Sequence, residues 1–372
     1  MKKKVIVGLS GGVDSSVAII KLLELGFDVE AVFMRNWDAM ANHDLLGNPT
    51  RFDSLCPQEV DYNDALKVAK ALNVLLHRID FVDEYWEYVF KYFLAEYEKG
   101  RTPNPDILCN KEIKFNYFLK HALSLGADYI AMGHYARVIH GEKNYLLRGI
   151  DQDKDQSYFL SQLSSEQLSK TLFPLGNMLK TEVRQIARLY QLEVASKKDS
   201  TGVCFIGERN FKAFLQNYLP AQKGEMRTID EKFIGYHEGC IYYTIGQRKG
   251  LNIGGPGGPW FVIGKDVKRN ILYVGQGDDQ NYLYANRAII KDINIINAPF
   301  NNGDQMTSKF RYRGKDIPVT VYWLDEMTLE VKTHELVKAM TPGQACVFYD
   351  GDYCLGGGTI DEVYYNNQRR KY

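Results

Sequence analysis

At 372 residues, 45% of them apolar, the chain is too long for one ordinary hydrophobic core and too apolar for wholesale disorder, so two or three domains are expected. Lys plus Arg and Asp plus Glu each number 46, which excludes a global field for nucleic acid and leaves any RNA contact to local patches. Six cysteines at 56, 109, 204, 240, 346 and 354, with no C-x-x-C pair, exclude a secreted disulfide scaffold and indicate no zinc or iron–sulfur site.

A cytoplasmic protein is expected. The basic start imitates a secretory signal, but its apolar stretch stops after residue 9 and meets Asp14, and no apolar run is long enough to cross a bilayer. Residues 5–9 read as a buried parallel strand and 17–23 as a helix, with Ser10-Gly11-Gly12-Val13-Asp14-Ser15-Ser16 squeezed between them. A Gly-Gly turn there converges backbone N–H groups on one point, and the helix start behind them adds roughly half a positive charge, which makes a phosphate site. A Walker-type loop would carry Lys followed by Ser or Thr; here Asp14 stands in that neighbourhood, which is best explained if Mg2+ sits between it and a polyphosphate. No set of protein metal ligands is assigned. A glycine pair alone would merely turn the chain. The full string resembles the pyrophosphate loop of the N-type ATP pyrophosphatases, which cut ATP to AMP and pyrophosphate and attach the AMP to a carbonyl oxygen.

Residues 28–37 read as a second strand with Met34 near its end, where ligands gather outside the carboxyl ends of parallel strands. A helix over 59–73 and a strand over 74–79 follow, then an aromatic-rich helix over 82–98 whose stripe is core packing. Two prolines two residues apart make 101–106 a stiff non-helical loop leading to Cys109 at or near a helix start. A dipole there lowers a thiol toward neutrality, although a lone Cys is more often a small buried hydrophobe. Residues 129–134 form a strand ending in Gly133, which permits close approach to a nucleotide, and His134. The alternation so far gives an α/β open parallel sheet. Residues 148–156 read as a solvated turn, 165–172 and 181–191 as helices, and the Gly-bounded segment around Cys204 as a mobile loop.

From about 209 the texture becomes short β-like runs and close glycines. The domains expected are 1–208, a nucleotide-binding catalytic domain; 209–277, a small β-rich central domain; and 278–372, a C-terminal β-barrel. In the barrel, 307–313 alternate with period two, placing Arg311 and Arg313 on one face and Phe310 and Tyr312 on the other. Such a strand suits RNA, but ordinary amphipathic alternation explains it nearly as well.

Taken together, SGGVDSS, MRNW, TPNPDILCNKEIKF, GHYAR, KDQSYFL, DSTGVCFIG and YYTIGQRKGL, running in order along the chain, resemble the bacterial tRNA-specific 2-thiouridylase family. The resemblance implies ATP-dependent thiolation of the wobble uridine of the tRNAs for Lys, Glu and Gln. It implies an ATP site at Gly8, Leu9, Ser10, Gly11, Gly12, Val13, Asp14 and Ser15, with Met34 and Gly133 beside the nucleotide. It implies that Asn104, Pro105 and Asp106 meet the target base, Asp106 acting as acid or base. Cys109 becomes the nucleophile and Cys204 the persulfide carrier, the two closing a transient disulfide. His134, Lys154, Asp155, Gln156, Arg311, Tyr312 and Gln344 touch tRNA. The partners implied are tRNA and a sulfur-relay or cysteine-desulfurase donor protein. Two other classes compete: a small-molecule adenylating synthetase of the same superfamily, and a non-catalytic tRNA-binding protein.

Overall fold

The computed structural model describes residues 2–372 apart from Ser54, Ser200, Thr201, Val203, Phe205 and Glu208. β1 (Lys4–Gly8) carries Val5, Ile6 and Val7 with no exposed face, the pattern of a strand covered on both sides. It is followed by α1 (Val13–Glu24), β2 (Asp28–Arg35), α2 (Pro57–Ala71) and β3 (Leu75–Asp80). α3 (Val82–Tyr85) runs through a π-helical turn, Trp86–Phe90, into α4 (Lys91–Glu98). The predicted aromatic stripe is core: Tyr85, Val89, Phe90 and Phe93 are all buried. Each such side chain contributes about 1.5–3 kcal/mol on burial.

α5 (Pro105–Leu108) starts inside the stretch expected to be non-helical. Pro105 sits at the first helical position, where a missing N–H costs nothing, and Asn104 caps the turn by accepting the Asp106 N–H at 3.1 Å. The helix continues as a π-helical stretch, Cys109–Tyr117, and then as α6 (Phe118–Ser124). β4 (Tyr129–Ala131), β5 (Ala136–Ile139), β6 (Tyr145–Arg148), α7 (Ser165–Ser169), β7 (Thr171–Leu172) and α8 (Lys180–Leu189) complete this part. The helix expected over 165–172 therefore ends at Ser169, because Thr171 and Leu172 pair with β4 as a further strand. The sheet order is β3-β2-β1-β4-β7, all parallel, so the order reverses beside β1. The carboxyl ends of β1, β2 and β4 at that reversal are the expected ligand crevice.

The central region opens with a helix, α9 (Phe211–Gln216), where β-like texture was expected. β8 (Gly224–Arg227), β9 (Phe233–His237), β10 (Phe261–Asp266) and β11 (Ile271–Gly275) then form a sheet in the order β10-β11-β8-β9. The C-terminal strands are β12 (Tyr284–Ile295), β13 (Gln305–Lys309), β14 (Ile317–Asp325), β15 (Thr328–Lys338), β16 (Ala345–Asp350) and β17 (Tyr353–Tyr365). They pair β12-β15-β14-β13-β16-β17, and β17 pairs back to β12, closing the expected barrel.

Two features differ from expectation. β13 stops at Lys309: Arg313 takes a left-handed φ of +59° in the turn toward β14, so Arg311 and Arg313 do not alternate along a strand. Phe310 points into the barrel core, and the Tyr312 ring packs 4.4 Å from Phe159. The hairpin β5–β6 also leaves the nucleotide-type sheet and joins the barrel, Tyr353 pairing with Leu147 and Cys354 with Leu146. Of residues 148–156 only the middle is the expected solvated turn, 152–154 with Gln152 and Asp153 exposed: Arg148 is in β6, and Asp155 is buried, accepting the Gly149 and Ser157 N–H groups at 3.0 and 3.1 Å.

Candidate active site

The loop between β1 and α1 is built to leave its donors free. Gly12 caps α1 with no side-chain hydrogen bond, so the first-turn N–H groups face outward at the positive end of the helix. The serines organise the loop from within, Ser10 N–H donating to Ser15 Oγ at 3.2 Å and Ser16 Oγ–H to the Gly12 carbonyl at 2.7 Å. Gly11 has φ +72°, and a Cβ there would lie 2.2 Å from the Asp61 carbonyl oxygen, so only glycine lets α2 press against the loop. Gly133, just beyond β4, approaches from the other side: its Cβ would stand 2.8 Å from the Ser15 nitrogen. Met34 and Met132 flank Gly8, both nearly buried.

Asp14 does not stand alone. Lys180 Nζ donates to both its carboxylate oxygens at 2.7 and 2.8 Å, and the Tyr135 hydroxyl to Oδ1 at 2.8 Å. Lys180 also reaches Asp199 at 2.8 Å, which pairs in turn with Arg184 and Lys154. These cations outweigh burial and hold the Asp199 carboxyl below its usual range. Lys197 bridges the Gly11 carbonyl, Asp61 and Asp64 at 3.1, 2.8 and 2.7 Å. Glycine turn, uncapped helix start and two lysines fit a nucleotide polyphosphate. For Mg2+ the fit is partial: Asp14 is one carboxylate already held by Lys180, and no group of three or more acidic, His or Cys side chains is assembled among the described residues. Any such ion would take most of its ligands from the phosphates and water.

The second cluster lies on α5 and the π-helical stretch after it. Cys109 and Cys204, 95 residues apart, face one another with Sγ–Sγ 3.5 Å, both as free thiols. Asp106 Oδ1 accepts the Cys204 N–H at 3.0 Å, and the buried Tyr85 hydroxyl donates to the Cys204 carbonyl at 2.9 Å. Burial pushes the Cys109 thiol far above its ordinary range. The expected lowering by a helix start fails because Cys109 is fully buried on the fifth residue from Pro105, beyond the first turn. Cys204 moves the other way. The hydrogen bond donated by Cys109 draws it down, burial opposes this, and the Lys114 ammonium draws it down further. Burial raises the Asp106 carboxyl, only partly offset by the Cys204 N–H. Of the two thiols, Cys204 is the more readily ionised and Cys109 the more firmly protonated. The segment 200–207, expected to be mobile, lies partly outside the described residues.

The two clusters are neighbours. Asp199, tied to Lys180 beside the loop, and Cys204 are five positions apart in the chain, a step that spans at most about 18 Å. The residues assigned to RNA by resemblance occupy varied settings. His134 is buried between Phe115 and Phe173 at 5.9 and 6.0 Å, and burial lowers its pKa well below the ordinary range. Gln156 brackets Tyr135, accepting its N–H at 3.0 Å and donating its own to its carbonyl at 2.9 Å. Gln344 donates to the Thr102 carbonyl at 2.6 Å. Lys154, Asp155, Arg313 and Lys309 line an open cleft of about 970 Å³ between the first domain and the barrel. Sequence reasoning missed Tyr135, Lys180, Lys197 and Asp199. Tyr135 and Asp199 carried a signal, lying in the motifs GHYAR and DSTGVCFIG; Lys180 and Lys197 did not.

Three family models match in succession: a tRNA methyl transferase HUP domain over residues 3–208, a tRNA methyl transferase PRC-barrel domain over 212–276, and an aminomethyltransferase β-barrel domain over 286–360. The chain is 54% identical over 376 residues, all of both chains, to the tRNA-specific 2-thiouridylase MnmA of Acholeplasma laidlawii. It is 55% identical over 371 residues to the protein of that name from Listeria monocytogenes, covering 99% of this chain and 97% of the relative. For the one from Staphylococcus carnosus the figures are 54% over 364 residues, 97% and 96%. With identity of this order along its whole length, the chain belongs to the tRNA-specific 2-thiouridylase family.

Proposed function

We propose that the protein replaces O2 of the wobble uridine in the tRNAs for Lys, Glu and Gln by sulfur, using ATP and a cysteine persulfide. The observation that carries this reading is the 3.5 Å approach of two free cysteines from distant segments, within reach of a phosphate-binding loop. Oxide is a poor leaving group from a pyrimidine ring; adenylated O2 departs as AMP. Backbone N–H groups of residues 11–15, with Lys180, hold the triphosphate while the base oxygen attacks its α-phosphorus, a step governed mainly by positioning and charge. Asp14, at the start of α1, is the residue that would hold a Mg2+ bound with the nucleotide, which would supply neutralisation of phosphate charge.

Asn104, Pro105 and Asp106 present the base to Cys204. The outer sulfur of a Cys204 persulfide attacks C2 and AMP leaves. Cys109 then gives up its proton, Asp106 being the nearby base of raised pKa, and attacks Cys204 Sγ. The Cys109–Cys204 disulfide forms as the bond to the transferred sulfur breaks, leaving the thiocarbonyl on the base. A thiol reductant must then reopen the disulfide. Release of sulfide from the persulfide by Cys109, followed by its attack on C2, uses the same groups.

A methyl-transfer or amide-forming synthetase reading gives the two apposed cysteines no work, and thiol alkylation would leave such enzymes active. The decisive experiment is nucleoside mass spectrometry of tRNA incubated with protein, ATP, Mg2+ and a sulfur source. Cys204→Ser is expected to abolish 2-thiouridine while tRNA-dependent pyrophosphate release continues. Thiolation by that variant, or loss of its pyrophosphate release, would overturn the assignment.

A further inference from the structure

A π-helix closes its hydrogen bonds five residues back instead of four, and such segments are rare and cluster at functional sites. Here the stretch Cys109–Tyr117 ends with the Phe118 N–H bonded to the Ile113 carbonyl, five residues before it. In an α-helix Cys109 and Lys114 would lie about 140° apart around the axis. With i→i+5 bonding they come to one side, the side on which the Cys204 sulfur stands 3.5 Å from that of Cys109, and the Lys114 charge acts on that sulfur. The Cys204 segment arrives from elsewhere in the chain, held by Asp106 and Tyr85 through its backbone. Its sulfur faces a thiol donor, Cys109, and a cation, Lys114, with Asp106 the one carboxylate acting on it among the described residues.

We propose that Lys114 is a catalytic residue that holds the sulfur of Cys204 as an anion, through both the uptake of sulfur and its delivery to the base. This deepens the thiolation reading and rests on it. In uptake, Cys204 thiolate attacks the outer sulfur of a protein-bound persulfide. The Cys204–sulfur bond forms as the donor's S–S bond breaks, the donor departs as thiolate, and Lys114 keeps its proton throughout. In delivery, the same ammonium stabilises the persulfide anion that attacks C2. An α-helical continuation from α5 to α6 would have turned Lys114 away from Cys109. The direction of charge agrees: burial alone would neutralise Lys114, yet the two sulfurs and Asp106 outweigh it and keep the ammonium protonated.

The test measures the rate of Cys204 alkylation by iodoacetamide against pH, read by peptide mass spectrometry, in Cys109→Ser protein so that one thiol reports and a hydroxyl donor remains. The midpoint is expected below the free-cysteine value of about 8.5. Adding Lys114→Met should raise it by at least one pH unit, slowing alkylation at pH 7 about tenfold, and Lys114→Arg should restore a low midpoint. An unchanged midpoint in Lys114→Met overturns the proposal. Should that variant not fold, a midpoint at or above about 8.5 in the Cys109→Ser protein overturns it alone. Pyrophosphate release with tRNA and ATP, followed in the unsubstituted protein, separates the two ideas: its absence counts against the adenylation reading and leaves the thiol midpoint to judge Lys114.

Discussion

Replacing Asp44 by Ala tests whether the strand-following segment after β2 anchors the Cys204 region. Asp44 is fully buried and Arg209 is 5% exposed; Nε and Nη2 of the guanidinium both donate to Asp44 Oδ2, at 2.9 and 2.8 Å. Trp37 Nε1 adds a third bond at 3.1 Å. Asp44→Ala removes the carboxylate half of this buried pair, a loss of about 3–5 kcal/mol for a pair of this kind. Over a unit of roughly 200 residues each kcal/mol lowers the unfolding midpoint by about 2–4 °C, so a drop of roughly 6–20 °C is expected by calorimetry. Removing a buried pair whole costs less than breaking it, so Asp44→Ala with Arg209→Met should recover much of the loss. Asn210 N–H donates to the Gly47 carbonyl at 2.9 Å in the same tether, only six residues from Cys204. Thiolation should therefore fall further than pyrophosphate release at a temperature where the variant is folded. A destabilisation under about 1 kcal/mol, or a double variant no better than the single, would refute the reasoning.

Gly133→Ala forces a Cβ against Ser15 nitrogen at 2.8 Å and the Asp14 carbonyl carbon at 2.9 Å, both backbone. Overpacking of about 1–3 kcal/mol taken from nucleotide binding raises the KM for ATP by roughly five- to 150-fold; an unchanged KM would show that the loop does not hold ATP. His134, neutral through burial, binds fewer protons folded than unfolded, so stability falls as pH drops below about 6.5 toward its lowered folded pKa. His134→Phe should remove up to about 1.4 kcal/mol per pH unit from that acid-side slope, measured by urea unfolding between pH 5 and about 7; an identical slope would rule His134 out as its source.

What was legible in the sequence was what local spacing encodes. An unbroken apolar run, a Gly-Gly turn and a helix pattern sit within 24 residues, and β1, the loop and α1 follow from their neighbours alone. The barrel strands were visible for the same reason, each alternating within itself. Arg311 and Arg313 show the limit, since alternation continues past Lys309 while the backbone has already turned. Cys109 shows another: its burial comes from a core gathered from α4, α6, β4 and the central sheet, and burial reversed the pKa inferred from helix position. Lys180 reaches Asp14 from 166 positions away and ties Asp199 to it in turn, a pairing that no spacing announces. The π-helical stretch was equally hidden, because apolar residues at 113, 115, 118, 119 and 122 suit an ordinary helix.

The junction before Cys109 explains why a catalytic pocket in the first domain comes with two further domains. Residues 100–102 are gripped from both. Lys265 Nζ, on β10, donates to the Gly100 carbonyl at 2.8 Å, and Arg101 pairs with Asp361 on β17. Thr102 N–H donates to the Pro342 carbonyl at 2.9 Å, and Gln344 returns a bond to the Thr102 carbonyl at 2.6 Å. Gly343 lies so close that a Cβ there would stand 3.0 Å from Thr102 backbone atoms. Asn104, Asp106 and Cys109 follow within seven residues of that grip, stiffened by Pro103 and Pro105. Any tRNA held across the barrel and the 970 Å³ cleft is thereby held in one frame with the sulfurs. Positioning of reacting atoms within a fraction of an ångström governs a transfer of this kind. A barrel joined only by a flexible linker would leave the segment before the thiols unbraced; the hydrogen bonds at Gly100 and Thr102 and the β6–β17 pairing make it part of that segment's support.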